Sequence, residues 1–259
     1  MHGVKHLVEV CILRMEGTNN EYEVFNAFRD CGAFPHLVHL NELSRRQNLF
    51  EYKILIIPGG FSAGDYVRAG AIFASRIKAT LWKELTKFID EGYPVGGICN
   101  GFQVLVELGL LPGNENRVQA CLATNDSNRF ECRPVFLAME KTNCVFTRKV
   151  TKALSLIPVA HAEGKFLAEK GIVEKMEDNR QIVFRYSDEG GTLAGYPWNP
   201  NGSPGNIAGV CNPVGNVFGM MPHPERAFHP FLAPDWTRCE RSGDGRAIIE
   251  SVVEYARGL

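Results

Sequence analysis

A chain of 259 residues, 45% hydrophobic and 22% charged, carries enough apolar material for one large core or two modest ones, which excludes a disordered chain. Its 28 Lys and Arg against 29 Asp and Glu leave a formal net charge of −1 with both signs scattered along the chain, so no electrostatic footprint for nucleic acid or an anionic membrane is present and small, neutral or modestly charged partners are favoured. The opening "MHGVKHLVEVCILRMEG" has no uninterrupted apolar segment ending in a small-residue cleavage site, and no window approaches the roughly twenty apolar residues of a membrane span, so a cytoplasmic location is expected.

The first half alternates between two hydrophobic periods. "HLVEVCIL" reads as a strand, "NEYEVFNAFRDCG" has helical spacing, "PHLVHL" is a second strand and "YKILIIPGG" a third. One helix is predicted across "ASRIKATLWKELTKFIDEG", then "YPVGGIC" as a fourth strand and "GFQVLVELGL" as the helix after it. Near-continuous Val, Ile and Leu runs between amphipathic helices predict an α/β protein, a parallel sheet with helices on both faces. From Val118 onward, short segments such as "PVFLAME", "QIVFRYS", "NIAGVC" and "NVFGMMP" alternate with Gly, Asn and Pro. These predict antiparallel strands added to the same sheet, with "CNPVGN" (211–216) connecting a hairpin. No repeat, linker or low-complexity tract divides the chain, and a single domain over 1–259 is expected. Phe25, Phe28, Trp82 and Phe88 fall at helical spacing and read as core, while His36 and His39 flank a short strand and read as partly buried or edge residues.

Eight cysteines suggest no disulfide framework, because the chain is neither short nor equipped for secretion and has no CxxC pair. Cys11 and Cys211 sit in apolar runs and read as buried thiols. Cys99 is different. "GICNG", Gly97 to Gly101, is a G-x-Nuc-x-G corner between a predicted strand and a predicted helix. The flanking glycines let the chain turn sharply and crowd the central residue, and the helix N-terminus supplies a positive dipole end with a free N–H at Asn100. A nucleophilic cysteine needs a base and the base needs an orienting group. "PHPE" places His223 and Glu225 on a proline-stiffened loop after a predicted strand. "IIPGGFSAGDYVRAG" ends a third strand with the N–H groups of Gly60 and Phe61 at the same sheet edge, where either can add an oxyanion donor.

With these residues in hand, "GGICNGFQVL", "PGGFSAGDYVRAGA", "RFECRPV", "AHAEGKF" and "NPNGSPGNIAGVCNPVGNVFGMMPHPERA" resemble the class I (triad) glutamine amidotransferases on a flavodoxin-like fold. Within that class they resemble the glutaminase subunits of phosphoribosylformylglycinamidine synthase, and the resemblance covers nearly the whole chain. It implies L-glutamine as substrate, Cys99 as nucleophile, His223 as general base and acid, Glu225 as orienting carboxylate, and Gly60 or Phe61 with Asn100 as the oxyanion hole. It further implies substrate contacts from Gln103 and from the backbone of a strand containing Asn128, Arg129 and Phe130. No metal or organic cofactor is expected in this chain; ATP and magnesium belong to a synthetase partner subunit, with a small accessory subunit beside it. Ala63 departs from the aromatic common at that position, and "ATLWKEL" and "LAPDWTRCERSGDG" are longer than in compact relatives, which leaves loop geometry open.

Two other classes share parts of the pattern. His161-Ala-Glu163 and His223-Pro-Glu225 are H-x-E units of the kind zinc deaminases use, but the P-C-x-x-C half of that signature is missing. A stand-alone cysteine hydrolase on the same sheet is the other. His161 and Glu163 read equally as a structural strand end or as part of the site or a partner interface. "YPWNPNGSPGN", Tyr196 to Asn206, reads as too rich in glycine and asparagine for core and as a candidate docking loop.

Overall fold

The computed structural model describes residues 7–114, 117–238 and 243–259. Strands β1 (Glu9–Arg14), β3 (Ile54–Ile57) and β4 (Val95–Ile98) are buried at four consecutive positions each, which is why their sequences run apolar without alternating: both faces are covered. Strand β2 (Phe34–His39) lies at the sheet edge and alternates instead. The second half supplies β5 (Ala120–Thr124), β6 (Glu131–Met139), β7 (Leu154–His161), β8 (Glu163–Ala168), β9 (Ile182–Ser187), β10 (Ile207–Cys211) and β11 (Val217–Met220).

Nine of these strands form one sheet in the order β2-β1-β3-β4-β11-β10-β9-β6-β7. Strands β2, β1, β3, β4 and β11 are mutually parallel, and β10, β9, β6 and β7 continue antiparallel. This is the expected flavodoxin-like half with an antiparallel extension, and "CNPVGN" does join the β10–β11 hairpin. One expectation is corrected: β5 and β8 leave the main sheet and pair with each other. They cover helix α5 (Asn100–Glu107), where Phe102 stacks on Phe166 of β8 at 6.1 Å.

Helices α1 (Glu21–Asp30) and α7 (Arg246–Ala256) pack together, and α3 (Ala71–Thr80) packs against α5. The single helix expected over 74–92 is two, because the chain turns at Leu81 (φ −124°, ψ −3°) before α4 (Trp82–Asp90) begins. Thr80 Oγ1 donates to the Arg76 carbonyl at 2.7 Å, a back-bond that bends a helix end. The turn puts Leu81, Leu85 and Phe88 in the core together. Two short helices, α2 (Leu40–Arg46) and α6 (Ile172–Asp178), carry too few turns for their periodicity to show in the sequence. His39 caps α2, its Nδ1 accepting from the Asn41 N–H at 3.2 Å, and His36 pairs with Glu9. Phe28 and Phe88 are core residues, with Phe25 and Trp82 partly buried against the core.

The asparagine-rich loop is the second correction. Asn199, Asn201 and Ser203 are buried because their side chains satisfy backbone groups that strand pairing leaves open. Asn201 Nδ2 donates to the Gly164 carbonyl and to the Tyr186 hydroxyl, while the Phe166 N–H donates to Ser203 Oγ. Trp198 lies against Phe136, while Tyr196, Pro197, Pro204 and Gly205 remain exposed. The insertion at 232–245 falls partly outside the described residues, at 239–242.

Helix α5 lies so close to the sheet that a Cβ on Gly101 would stand 1.9 Å from the Ile57 carbonyl oxygen. Gly101→Ala is therefore expected to destabilise the fold by about 1–3 kcal/mol through overpacking against backbone that cannot move aside; urea unfolding of the variant against the parent measures it.

Candidate active site

Strand β4 ends at Ile98 and α5 begins at Asn100, so Cys99 alone makes the corner, at φ 51° and ψ −106°. A side chain is rarely tolerated there, and the neighbours enforce it. The Cys99 N–H donates to the Met220 carbonyl at 2.8 Å, and its carbonyl accepts from Gln103 N–H at 3.1 Å, opening the helix. A Cβ on Gly97 would stand 2.5 Å from the Gly101 oxygen, which is why neither position 97 nor position 101 carries a side chain that could fill the corner.

Parallel pairing of β3, β4 and β11 brings their carboxyl ends to one edge, the place where open α/β sheets bind ligands. The turn after β3 reaches it with Gly59 and Gly60. His223 follows β11, its N–H held by the Pro158 carbonyl of β7 at 2.8 Å. His223 Nδ1 lies 2.6 Å from Glu225 Oε1. Gly59 lies between Cys99 and His223: a Cβ there would be 2.9 Å from His223 Cε1 and 3.4 Å from Cys99 Cβ. Burial depresses the imidazole, but the Glu225 carboxylate, followed by the Cys99 sulfur, outweighs it and raises His223 to about 10. Its Nδ1–H faces Glu225, and its Nε2 is buried without a partner.

Asn20, which the sequence reading passed over, completes this cluster. It stands at the start of α1 but makes no side-chain cap there. Its Nδ2 donates instead to Glu225 Oε1 at 3.2 Å, and lies 3.5 Å from His223 Nδ1. An asparagine in the position where a helix N-cap belongs, just beyond the carboxyl end of β1, is the sequence signal that marks it.

Of the expected oxyanion donors, Phe61 is corrected: its N–H donates to the Gly17 carbonyl at 2.8 Å and its ring lies outside, 6.4 Å from that of Phe130. The Gly60 N–H has no hydrogen-bond partner among the described residues, and the Asn100 N–H is one of the unpaired first amides of α5. Gln103 does not point its amide to open space. It accepts from Asn100 Nδ2 at 2.9 Å and donates to the Glu163 carbonyl at 2.6 Å. Asn100 also accepts from the Ser62 N–H and donates to Asp65, and Glu163 accepts from the Ala69 N–H, so the loop 61–70 is tied to the nucleophile's helix. Asn128, Arg129 and Phe130 form an exposed turn, with Asn128 at φ 51°, rather than a strand, which begins only at Glu131. Asn125 Nδ2 takes the Arg129 carbonyl and closes that turn.

His161 ends β7, one residue beyond Ala160, whose carbonyl accepts from the Cys99 thiol at 3.5 Å. Burial, then the charge on His223, lowers its pKa to about 3. The seven cysteines among the described residues are free; Cys11 and Cys211 are buried as expected, whereas Cys121 and Cys132 are exposed. Among the described residues, no three His, Cys, Asp or Glu side chains stand close enough together to hold a metal.

A thiol on a strained strand-to-helix corner, with a carboxylate-braced imidazole arriving from the neighbouring parallel strand, is the construction of a triad amidotransferase. The CobB/CobQ-like glutamine amidotransferase domain family matches this chain over residues 7–256. The chain is 49% identical to the phosphoribosylformylglycinamidine synthase subunit PurQ of Archaeoglobus fulgidus, over 97% of this chain and 98% of the relative. It is 46% identical to the subunit of the same name from Picrophilus torridus, over 92% and 94%. The solved structure of PurLQS from Thermotoga maritima contains a chain that superposes with a TM-score of 0.75 at 32% identity, covering 96% of this chain and 99% of that one. This chain belongs to the glutamine amidotransferase family and, within it, to the PurQ subunits.

The low pKa of His161 has a consequence for stability. Between pH 6.5, where an unfolded histidine titrates, and about 3, where His161 titrates in the fold, the unfolded chain binds a proton that the folded one refuses, so stability is present above pH 6.5 and falls as pH drops. His161→Asn removes that proton. The difference in urea midpoint between pH 6.5 and 4.5 is expected to be smaller in the variant than in the parent.

Proposed function

We propose that this chain is the glutaminase subunit of a phosphoribosylformylglycinamidine synthase. It hydrolyses L-glutamine to glutamate and ammonia and delivers the ammonia to an ATP-dependent synthetase subunit. There formylglycinamide ribonucleotide becomes formylglycinamidine ribonucleotide, a step of purine biosynthesis. The observation that carries this reading is the 49% identity with a PurQ subunit over 97% of this chain and 98% of the relative, and the Cys99, His223 and Glu225 cluster at one sheet edge supports it.

The chemistry follows from the geometry. His223 holds the thiol proton as an imidazolium, the form its Glu225 partner favours, and the Cys99 sulfur attacks the carboxamide carbon. The tetrahedral oxyanion is received by the N–H groups of Gly60 and Asn100. As the C–N bond breaks, His223 Nε2–H gives its proton to the leaving nitrogen, so that a thioester and ammonia result; His223 then takes a proton from water, which hydrolyses the thioester. Glu225, steadied by Asn20, fixes the ring with Nδ1–H toward the carboxylate. The fold supplies these groups with no cofactor in this chain; ATP and magnesium serve the synthetase. A small accessory subunit completes the assembly, which works in the cytoplasm.

Cys99, His223 and Glu225 are only 6%, 2% and 3% exposed, so little of the cluster is open to a substrate. The isolated chain is accordingly a weak glutaminase, and docking of the synthetase opens the approach and sets the Gly60 amide.

Two measurements test this. Cys99→Ala in the assembled enzyme is expected to abolish glutamine-dependent synthesis while ammonia-dependent synthesis continues; loss of both would place Cys99 outside the glutaminase chemistry. Ammonia release by the subunit is expected to rise on the order of a hundredfold when the substrate-loaded synthetase is added, the size of one oxyanion donor; equal rates with and without it would overturn assembly control.

A further inference from the structure

The mechanism above leaves one buried titratable group at the site without a task, and its hydrogen bonds define its state. Asn125 Nδ2 donates to the carbonyls of His161 and Arg129, both at 2.9 Å. The amide is thereby oriented, and Asn125 Oδ1 is an acceptor, taking the Gly164 N–H at 3.1 Å. His161 Nδ1 lies 3.1 Å from the same Oδ1, so Nδ1 carries the hydrogen. In the neutral ring the other nitrogen, Nε2, then holds a lone pair. That Nε2 is buried and has no partner, a cost a fold retains where a ligand completes the bond.

His223 presents the opposite case, with a buried Nε2 that also lacks a partner but carries a hydrogen. The two rings are close enough for the His223 charge to act on His161, and strand β7 sets both: Pro158 holds the His223 backbone, Ala160 faces the Cys99 thiol, and His161 follows. His161 thus lies one residue from the carbonyl that meets the Cys99 thiol, and its Nε2 and that of His223 are both left without a partner in the fold. The leaving nitrogen of a carboxamide needs both a donor and an acceptor, since it gains a proton while keeping N–H bonds that must be accepted.

We propose that His161 contacts the substrate in this reaction, its Nε2 lone pair accepting an N–H from the amide nitrogen as that nitrogen leaves and from the ammonia it becomes. The inference rests on the glutaminase reading. His223 Nε2–H supplies the proton, the C–N bond breaks to the nitrogen, the Cys99 sulfur keeps the acyl group, and His161 exchanges no proton; it fixes the nitrogen with its lone pair toward His223.

The test compares two substrates in the subunit assembled with its synthetase. In His161→Asn the new Nδ2 takes over the hydrogen bond to Asn125 Oδ1, and nothing replaces Nε2. With L-glutamine, kcat/KM is expected to fall about tenfold to a hundredfold, chiefly in kcat, as for loss of one buried hydrogen bond made in the transition state. With the γ-methyl ester of L-glutamate, whose leaving oxygen has no hydrogen to offer, the rate is expected to be unchanged or improved. Unimpaired ammonia-dependent synthesis shows that the variant has assembled, and His161→Ala supplies the same substrate ratio if it has not. Equal losses on both substrates would make His161 a structural residue and overturn the proposal, as would full glutamine activity. A parent enzyme that releases no ammonia from glutamine but still cleaves the ester would overturn the glutaminase reading itself, and this inference with it.

Discussion

The backbone of Cys99 is held at φ 51° and ψ −106° against the sterics of its own Cβ, and most of the molecule is arranged to hold it there. The sheet anchors the corner from behind through the Met220 carbonyl, and α5 draws it forward through Gln103. Such strain persists only where the surroundings over-determine the conformation. Here the over-determination is steric as well as polar, because Gly97 and Gly101 allow strand and helix backbones to touch where any Cβ would collide. What the corner gains is position: the sulfur stands over the carboxyl ends of the strands, beside the unpaired amides of the helix.

That contact constrains the loops around it. The segment 61–70 holds Ala63, Asp65 and Val67 at positive φ, an unfavourable set, with the β-branched Val67 the most unusual of them. It is kept in place by side chains from the nucleophile's helix and from β8: Asn100 meets Ser62 and Asp65, and Glu163 meets the Ala69 N–H. Burial, and then the Glu163 carboxylate, raises Asp65 to about 6, so the latch places an acid that titrates near neutrality next to the helix that opens at Cys99. The Gly60 amide begins this loop. A displacement of the loop therefore reaches the Gly60 N–H through a few residues of chain.

The parallel half was legible because its strands are buried on both faces, and a run such as "ILII" admits few other settings. The corner at Cys99 and the pair His223 and Glu225 were legible because glycine and proline have few uses beyond the ones found. The rest depended on partners far away in the chain. Leu81 breaks a periodicity that looks continuous, since three core side chains can be buried together only if the axis turns. Strands β5 and β8 read like the other short strands, and only the surface of α5 that they cover separates them from the main sheet. The turn at Asn128 to Phe130 was misread as strand in the same way, since Asn125 closes it, and Asn100 and Glu163 determine where the Gln103 amide points.

Asparagine is the residue through which most of this hidden order acts. Its amide presents donor and acceptor on one short arm, so a buried asparagine dictates the hydrogen placement of whatever it touches. Asn201 joins the β8 backbone to Tyr186, Asn100 binds the loop to the helix, Asn20 donates to Glu225, and Asn125 accepts from His161. The last two give the site its polarity. Identical imidazoles, both buried, one after β11 and one at the end of β7, are driven to opposite forms: a carboxylate braced by Asn20 holds His223 protonated, whereas an amide oxygen at Asn125 gives His161 a neutral partner that offers its burial no charge in compensation. Because burial alone would leave both rings neutral, the difference between a proton donor and a lone pair at this site is set by the choice of one acceptor for each histidine.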